Sequence, residues 1–215
     1  MNARMLVKIC GLTRLEDAKA CCDAGADLLG FVFHAPSRRN ADPAMVAQMR
    51  GGHARKVGVF VNQGVQETMA VAGQAGLDLI QLHGGQDEAF CRELIAAGAG
   101  PDRLVKVFWP ERYASLADFQ ADLDRFAPSC GLMLFDAGKG GGGHGRGFDV
   151  ALLAGLNIPR PWLLAGGLGP DNVAEVLAAG PHGLDMSSGV EAAPGVKDMD
   201  KVRRVIRCVR DKEMS

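Results

Sequence analysis

Eight short apolar runs, each followed by a turn and a segment of helical character, set the limits on what this chain can become. The runs are Met5–Ile9, Leu28–Phe33, Lys56–Val61, Leu77–Gln81, Leu104–Phe108, Leu132–Phe135, Trp162–Ala165 and Gly183–Met186. Alternating strands and helices require a parallel sheet with helical crossovers. Shared over 215 residues, eight units receive about 27 residues each, close to the minimum for a strand, a helix and two turns. Eight such units close into a (β/α)8 barrel, a TIM barrel, with little chain left over. An open doubly wound sheet would carry a GxGxxG fingerprint after its first strand, whereas the first run here leads into Cys10-Gly11-Leu12-Thr13. No Pro-rich hinge or change of composition divides the chain, so one domain over residues 1–215 is expected.

Composition narrows the function. Lys and Arg total 24 against 25 Asp and Glu, a net charge of −1, so there is no basic footprint for nucleic acid. Aromatic residues are 6% of the chain, too few for a base-stacking platform. No apolar stretch is long enough to cross a membrane, and the first residues lack the apolar core of a secretion signal. Six cysteines show no CxxC spacing and no adjoining histidine cluster, which predicts free thiols, no metal site and a cytoplasmic protein. The 29 glycines are in excess. Four of them, Gly25, Gly76, Gly98 and Gly180, fall shortly before apolar runs, where a helix ends and a left-handed residue is needed.

In such a barrel, chemistry belongs at the C-terminal ends of the strands. The residues expected there are Cys10, His34 to Arg39, Asn62, His83, Trp109, Asp136, Gly166 with Gly167, and Ser187 with Ser188. The seventh run passes through Gly166-Gly167 toward a helix start. The eighth passes through Asp185-Met186-Ser187-Ser188-Gly189 in the same manner. Loops after strands seven and eight are the usual phosphate site of this architecture, because converging backbone N–H groups and helix starts favour anions. Gly166, Gly167, Ser187, Ser188 and Gly189 are therefore candidate phosphate ligands. After the sixth run, seven of the ten residues 138–147 are glycine, the composition of a flap that closes over substrate. Lys139, His144 and Arg146 in it can meet an anion. Cys10 alone reads as a small core residue and Asp136 alone as a helix cap. At two strand ends above a phosphate site they form a candidate base and acid.

These residues carry a resemblance. Lys8-Ile9-Cys10-Gly11-Leu12-Thr13, Gly30-Phe31-Val32-Phe33 with Ser37-Arg38-Arg39, and Val57-Gly58-Val59-Phe60-Val61-Asn62 open it. Gln81-Leu82-His83-Gly84, Phe135-Asp136 with the glycine segment and Phe148-Asp149, Leu164-Ala165-Gly166-Gly167-Leu168, and Ser187-Ser188-Gly189-Val190-Glu191 complete it. In order and over almost the whole length, the blocks resemble the phosphoribosylanthranilate isomerases of tryptophan biosynthesis. The resemblance implies an Amadori rearrangement of an aminoaldose phosphate to an aminoketose. Asp136 would be the general acid, Cys10 the general base, and Arg39 the contact to the anthranilate, with His83 and Asp185 completing the substrate-binding set. It implies no metal or organic cofactor, because the substrate nitrogen is the electron sink. It also implies a small phosphorylated ligand, and a monomer or a homodimer. Arg38 replaces the family's common proline, which places two arginines side by side; His144 and Val150 are further departures.

Two rivals share this fold. A histidine-pathway aminoaldose isomerase would carry aspartate where this chain has Cys10. A non-catalytic phosphometabolite-binding barrel would lack the acid or the base. One more expectation concerns Lys8, which by the period of two lies below Cys10 in the lumen. A lysine there needs a partner. Asp185 on the neighbouring last strand is the candidate, and the nearby ammonium is expected to favour the Cys10 thiolate.

Overall fold

The computed structural model describes residues 4–49, 52–136, 153 and 155–213. Eight parallel strands form a closed barrel in chain order: β1 (Leu6–Ile9), β2 (Leu28–Phe33), β3 (Arg55–Phe60), β4 (Leu79–Leu82), β5 (Leu104–Phe108), β6 (Leu132–Asp136), β7 (Trp162–Ala165) and β8 (Gly183–Met186). β1 closes the ring by pairing with both β2 and β8, and Lys8 stands opposite Asp185 across the closing seam. Alternation along each strand separates two cores. Leu28, Val57, Leu79, Val105, Val107, Leu132, Leu134, Leu163 and Ala165 fill the lumen. Ile9, Phe31, Phe60, Leu82, Phe108 and Phe135 point outward against the helices.

The limits of β1, β3, β4 and β6 differ from expectation by one or two residues, and two of the shifts have a visible local cause. The third run ends at Phe60 because the Val61 N–H is taken by the Gln63 side chain, which turns the chain away. The fourth begins at Leu79 because Leu77 is still engaged in the turn that closes the preceding helix, Val65–Ala75. Its N–H donates to Ala72 O, and Gly76 adopts the left-handed conformation that ends the helix. An unforeseen antiparallel hairpin, β9 (Glu191–Ala193) and β10 (Val196–Lys197), follows β8.

Helix starts are chemically marked. Asp87 caps Glu88–Ala96 through the Phe90 N–H at 2.9 Å, and Asp42 caps Pro43–Gln48 through the Ala44 N–H. The C-terminal helix, Met199–Glu213, buries Val202, Val205, Ile206 and Val209, an i, i+3, i+4, i+7 stripe. Its Arg210 reaches Met5 O and Asp27 Oδ2, tying this last helix to the base of the first two strands. Among the described residues no helix is long and apolar enough to cross a membrane. The glycine-rich segment 138–147, with Lys139, His144 and Arg146, lies outside the described residues, as do Phe148, Asp149 and Val150.

Gly183 permits the closure of β8 on its neighbours. A Cβ there would stand 2.4 Å from Leu6 O and 2.5 Å from Leu163 Cδ2. Gly183→Val is expected to lower the unfolding free energy by about 2–3 kcal/mol, read from urea denaturation. An unchanged midpoint would show that the seam has slack.

Candidate active site

The period of two that fills the lumen also delivers the site. Leu6-Lys8-Cys10, Leu79-Gln81-His83, Val105-Val107-Trp109, Leu132-Leu134-Asp136 and Gly183-Asp185-Ser187 each climb one strand on its inward side. Their upper members meet in a cleft of about 1100 Å³ at the C-terminal end of the barrel. Cys10, Arg39, His83, Asp136, Gly166, Gly167, Asp185, Ser187 and Ser188 all line it. Asn62 does not line it; Val61 does, because β3 stops one residue earlier than expected. Gly189 is also absent from the wall.

On the β1–β8 side, Gly30 makes room for Cys10: a Cβ on that glycine would lie 2.7 Å from Cys10 Sγ. Beneath it, Lys8 Nζ donates to Asp185 Oδ2 at 2.8 Å, with the two side chains 1% and 7% exposed. Burial works against the lysine's charge, but Asp185 and Cys10 outweigh it and hold the ammonium above its ordinary range. Lys8 favours the Cys10 thiolate as expected, but it is not the largest influence on that group. Burial pushes the thiol up, Lys8 pulls it down, Asp185 pushes it up again, and the balance lies above the usual cysteine value. Burial is the largest of these influences, and Asp185 offsets part of the pull that Lys8 exerts toward the thiolate. Asp185 Oδ1, also buried, has no hydrogen-bond partner among the described residues.

Across the cleft, Gln81 Nε2 donates to His83 Nδ1 at 2.9 Å. That bond makes Nδ1 the acceptor and leaves the neutral ring's proton on Nε2. Nε2 stands 3.4 Å from Asp136 Oδ2. Trp109 meets the His83 ring edge-on at 5.5 Å, and the Arg112 guanidinium lies 4.2 Å from the Trp109 ring centre. Gln81 and Arg112 were not foreseen. Gln81 lay within a quoted motif but reads in sequence as a polar interruption of a strand.

The two glycine loops are built against each other. Gly166 and Gly167 are both left-handed, with φ of +110° and +64°. Asn172 accepts from Gly169 N–H and donates to Gly167 O, bracing this loop. A Cβ on Gly189 would lie 2.1 Å from Leu168 O, so the second loop touches the first only because Gly189 has no side chain. The 3-10 turn Ser188–Val190 follows, and its leading N–H groups have no acceptor within the turn.

Of the adjacent arginines, only Arg39 lines the cleft; Arg38 does not. Arg39 is gripped by Glu191, a residue quoted in a motif but not singled out as functional. Among the described residues, no group of three His, Cys, Asp or Glu side chains is placed to hold a metal ion.

The fold has close counterparts among known proteins. The crystal structure of phosphoribosyl anthranilate isomerase from Thermotoga maritima superposes with a TM-score of 0.83 at 32% identity, covering 96% of this chain and 99% of that one. Another phosphoribosyl anthranilate isomerase, solved in complex with reduced 1-(o-carboxyphenylamino)-1-deoxyribulose 5-phosphate, has a TM-score of 0.78 at 30% identity over 96% and 99% of the two chains. The N-(5'-phosphoribosyl)anthranilate isomerase of Maridesulfovibrio salexigens is 48% identical over 199 residues, 92% of this chain and 95% of its own. By fold and kinship the molecule is an isomerase of the (β/α)8-barrel class. Residues 7–208 match the model of the N-(5'phosphoribosyl)anthranilate (PRA) isomerase family, and the chain belongs to that family.

The Lys8–Asp185 pair yields a prediction with two signs. Lys8→Met removes the attraction and leaves Asp185 acting alone, so the pH midpoint of Cys10 alkylation by iodoacetamide should rise by about one unit or more. Asp185→Asn removes the repulsion and should lower that midpoint. Peptide mass spectrometry at Cys10 reads both, and shifts of the same sign would refute this account.

Proposed function

We propose that this protein converts N-(5-phosphoribosyl)anthranilate to 1-(2-carboxyphenylamino)-1-deoxyribulose 5-phosphate, a step of tryptophan biosynthesis, and does so as a single (β/α)8 catalytic domain. The observation that carries the mechanism is the placement of Cys10 and Asp136 on separate walls of one cleft, above two glycine loops. Asp136 protonates the furanose ring oxygen, and the ring opens as the amine nitrogen's lone pair forms the C1=N iminium. Cys10 removes the proton from C2, and those electrons flow into the iminium to give an enolamine. Proton return to C1 and loss from the C2 hydroxyl yield the ketone. The nitrogen serves as electron sink throughout, so the step requires no cofactor.

The remaining residues take supporting parts in this reading. Lys8 favours the Cys10 thiolate that accepts the C2 proton, and burial makes that thiolate the stronger base. The His83 Nε2–H, oriented by Gln81, steadies the Asp136 carboxylate once its proton has been given up. Gly166, Gly167, Ser187, Ser188 and Gly189 take the phosphate, Gly189 by allowing the loops to meet. Asp185 faces the sugar hydroxyls from below, and Arg39 takes the anthranilate carboxylate. The ligand is a small phosphorylated metabolite. A cytoplasmic monomer or homodimer accords with this role.

A fluorescence assay following loss of the anthranilate adduct tests the assignment. Asp136→Asn and Cys10→Ala should each lower kcat by about 10²–10⁴ while leaving substrate affinity within about tenfold. Retention of a third of the wild-type kcat by either would remove that residue from the mechanism. Gly189→Ala should weaken competitive inhibition by inorganic phosphate by about tenfold, since its Cβ must force Leu168 O away. Unaltered inhibition would place the phosphate elsewhere.

A further inference from the structure

The strongest polar cluster outside the acid–base pair surrounds Glu191, and the proposed reaction has not used it. Glu191 Oε1 accepts from Arg39 Nε at 2.9 Å and Oε2 from Arg39 Nη2 at 2.6 Å, a side-on bidentate pair. Oε1 also accepts from Lys197 Nζ at 2.8 Å and from the Gly195 N–H at 3.2 Å. The Lys197 and Glu191 side chains are 0% and 4% exposed, whereas Arg39 keeps 28% of its side chain open, on the cleft wall. The cluster is anchored from behind: the Lys197 N–H donates to Asp17, which is itself paired with Arg14. Lys201 Nζ donates to the Glu191 backbone carbonyl. In front, Gly11 makes way for the arginine, for a Cβ there would lie 2.6 Å from Arg39 Cδ.

Charge and geometry lead to one reading. Glu191 engages Nε and one hydrogen of Nη2, so planarity leaves the Nη1 amino group and the second Nη2 hydrogen directed away from it, a free fork of two donors. Glu191 alone would cancel the charge of Arg39. With Lys197 buried beneath, Arg39, Glu191 and Lys197 together carry +1, and the half-open member is the arginine. We infer that Glu191 and Lys197 are positioning residues that hold the Arg39 guanidinium edge-on and net positive toward a substrate carboxylate, and so select aminoaldoses whose aromatic amine bears a carboxylate. This inference rests on the isomerase reading given above.

Two substrates separate the inference from that reading: the phosphoribosyl adduct of anthranilate and that of aniline, which lacks the carboxylate. Wild-type protein inactive on both adducts would overturn the isomerase reading and this inference with it. With activity present, Glu191→Gln should raise KM for the anthranilate adduct about tenfold or more, with the smaller effect on kcat. Selectivity for anthranilate over aniline should fall by a similar factor. Lys197→Met, which leaves the Glu191–Arg39 pair but removes the balancing charge, should lose selectivity in the same direction. In the Arg39→Ala background, Glu191→Gln should cost nothing further, since its partner is gone. Calorimetry with the reduced product analogue, with and without its carboxylate, gives the same comparison without turnover and serves if a variant folds poorly. Equal losses on both adducts, a loss confined to kcat, or full additivity with Arg39→Ala would each overturn the inference.

Discussion

One ion pair closes this molecule. Lys8 and Asp185 face each other across the seam where the first strand meets the last, and both are buried in a lumen filled mostly by aliphatic side chains. A charge left alone there would cost several kcal/mol. Each side chain therefore requires the other strand in one register, and that register puts Cys10 beside Ser187 at the rim. A hydrophobic pair could fill the space, but a slip of register would then carry a lighter penalty. The pair also sets the surroundings of Cys10, whose thiol feels both partners at once.

The cleft divides its work among separate devices. The β1–β8 seam governs the thiol; a tautomer-setting amide on β4 governs the ring that faces Asp136; two glycine loops brace each other where the phosphate is proposed to sit; and the hairpin after β8 holds Arg39 on the cleft wall.

Much of this was legible in the sequence. Eight apolar runs at even spacing have few alternatives to a closed barrel, and strand ends then nominate Cys10, His83 and Asp136 without any view of the fold. Where boundaries moved, a side chain or a cap had captured a backbone N–H: Gln63 at Val61, and the helix end at Leu77. Such competition is invisible to hydrophobic periodicity. The partnership of Glu191 with Arg39 spans 152 positions, and Lys197 lies in a two-residue strand too short to leave a pattern. The direction of Lys8's pull on Cys10 follows from the strand period, but the net upward shift is set first by burial, about which spacing along a chain carries no information.

The seam also has a bearing on synthesis. The two members of the closing pair are separated by 177 positions. While the chain is being made, the first strand carries a lysine destined for a buried interior, and its counter-charge does not exist until 177 further residues have been added. Before then, packing β1 into its final surroundings would bury an unmatched charge. Partial barrels on the ribosome are thus discouraged from settling around their first strand. Closure waits for the eighth strand, when the slow, non-local pairing of β1 with β8 can be completed in one cooperative step.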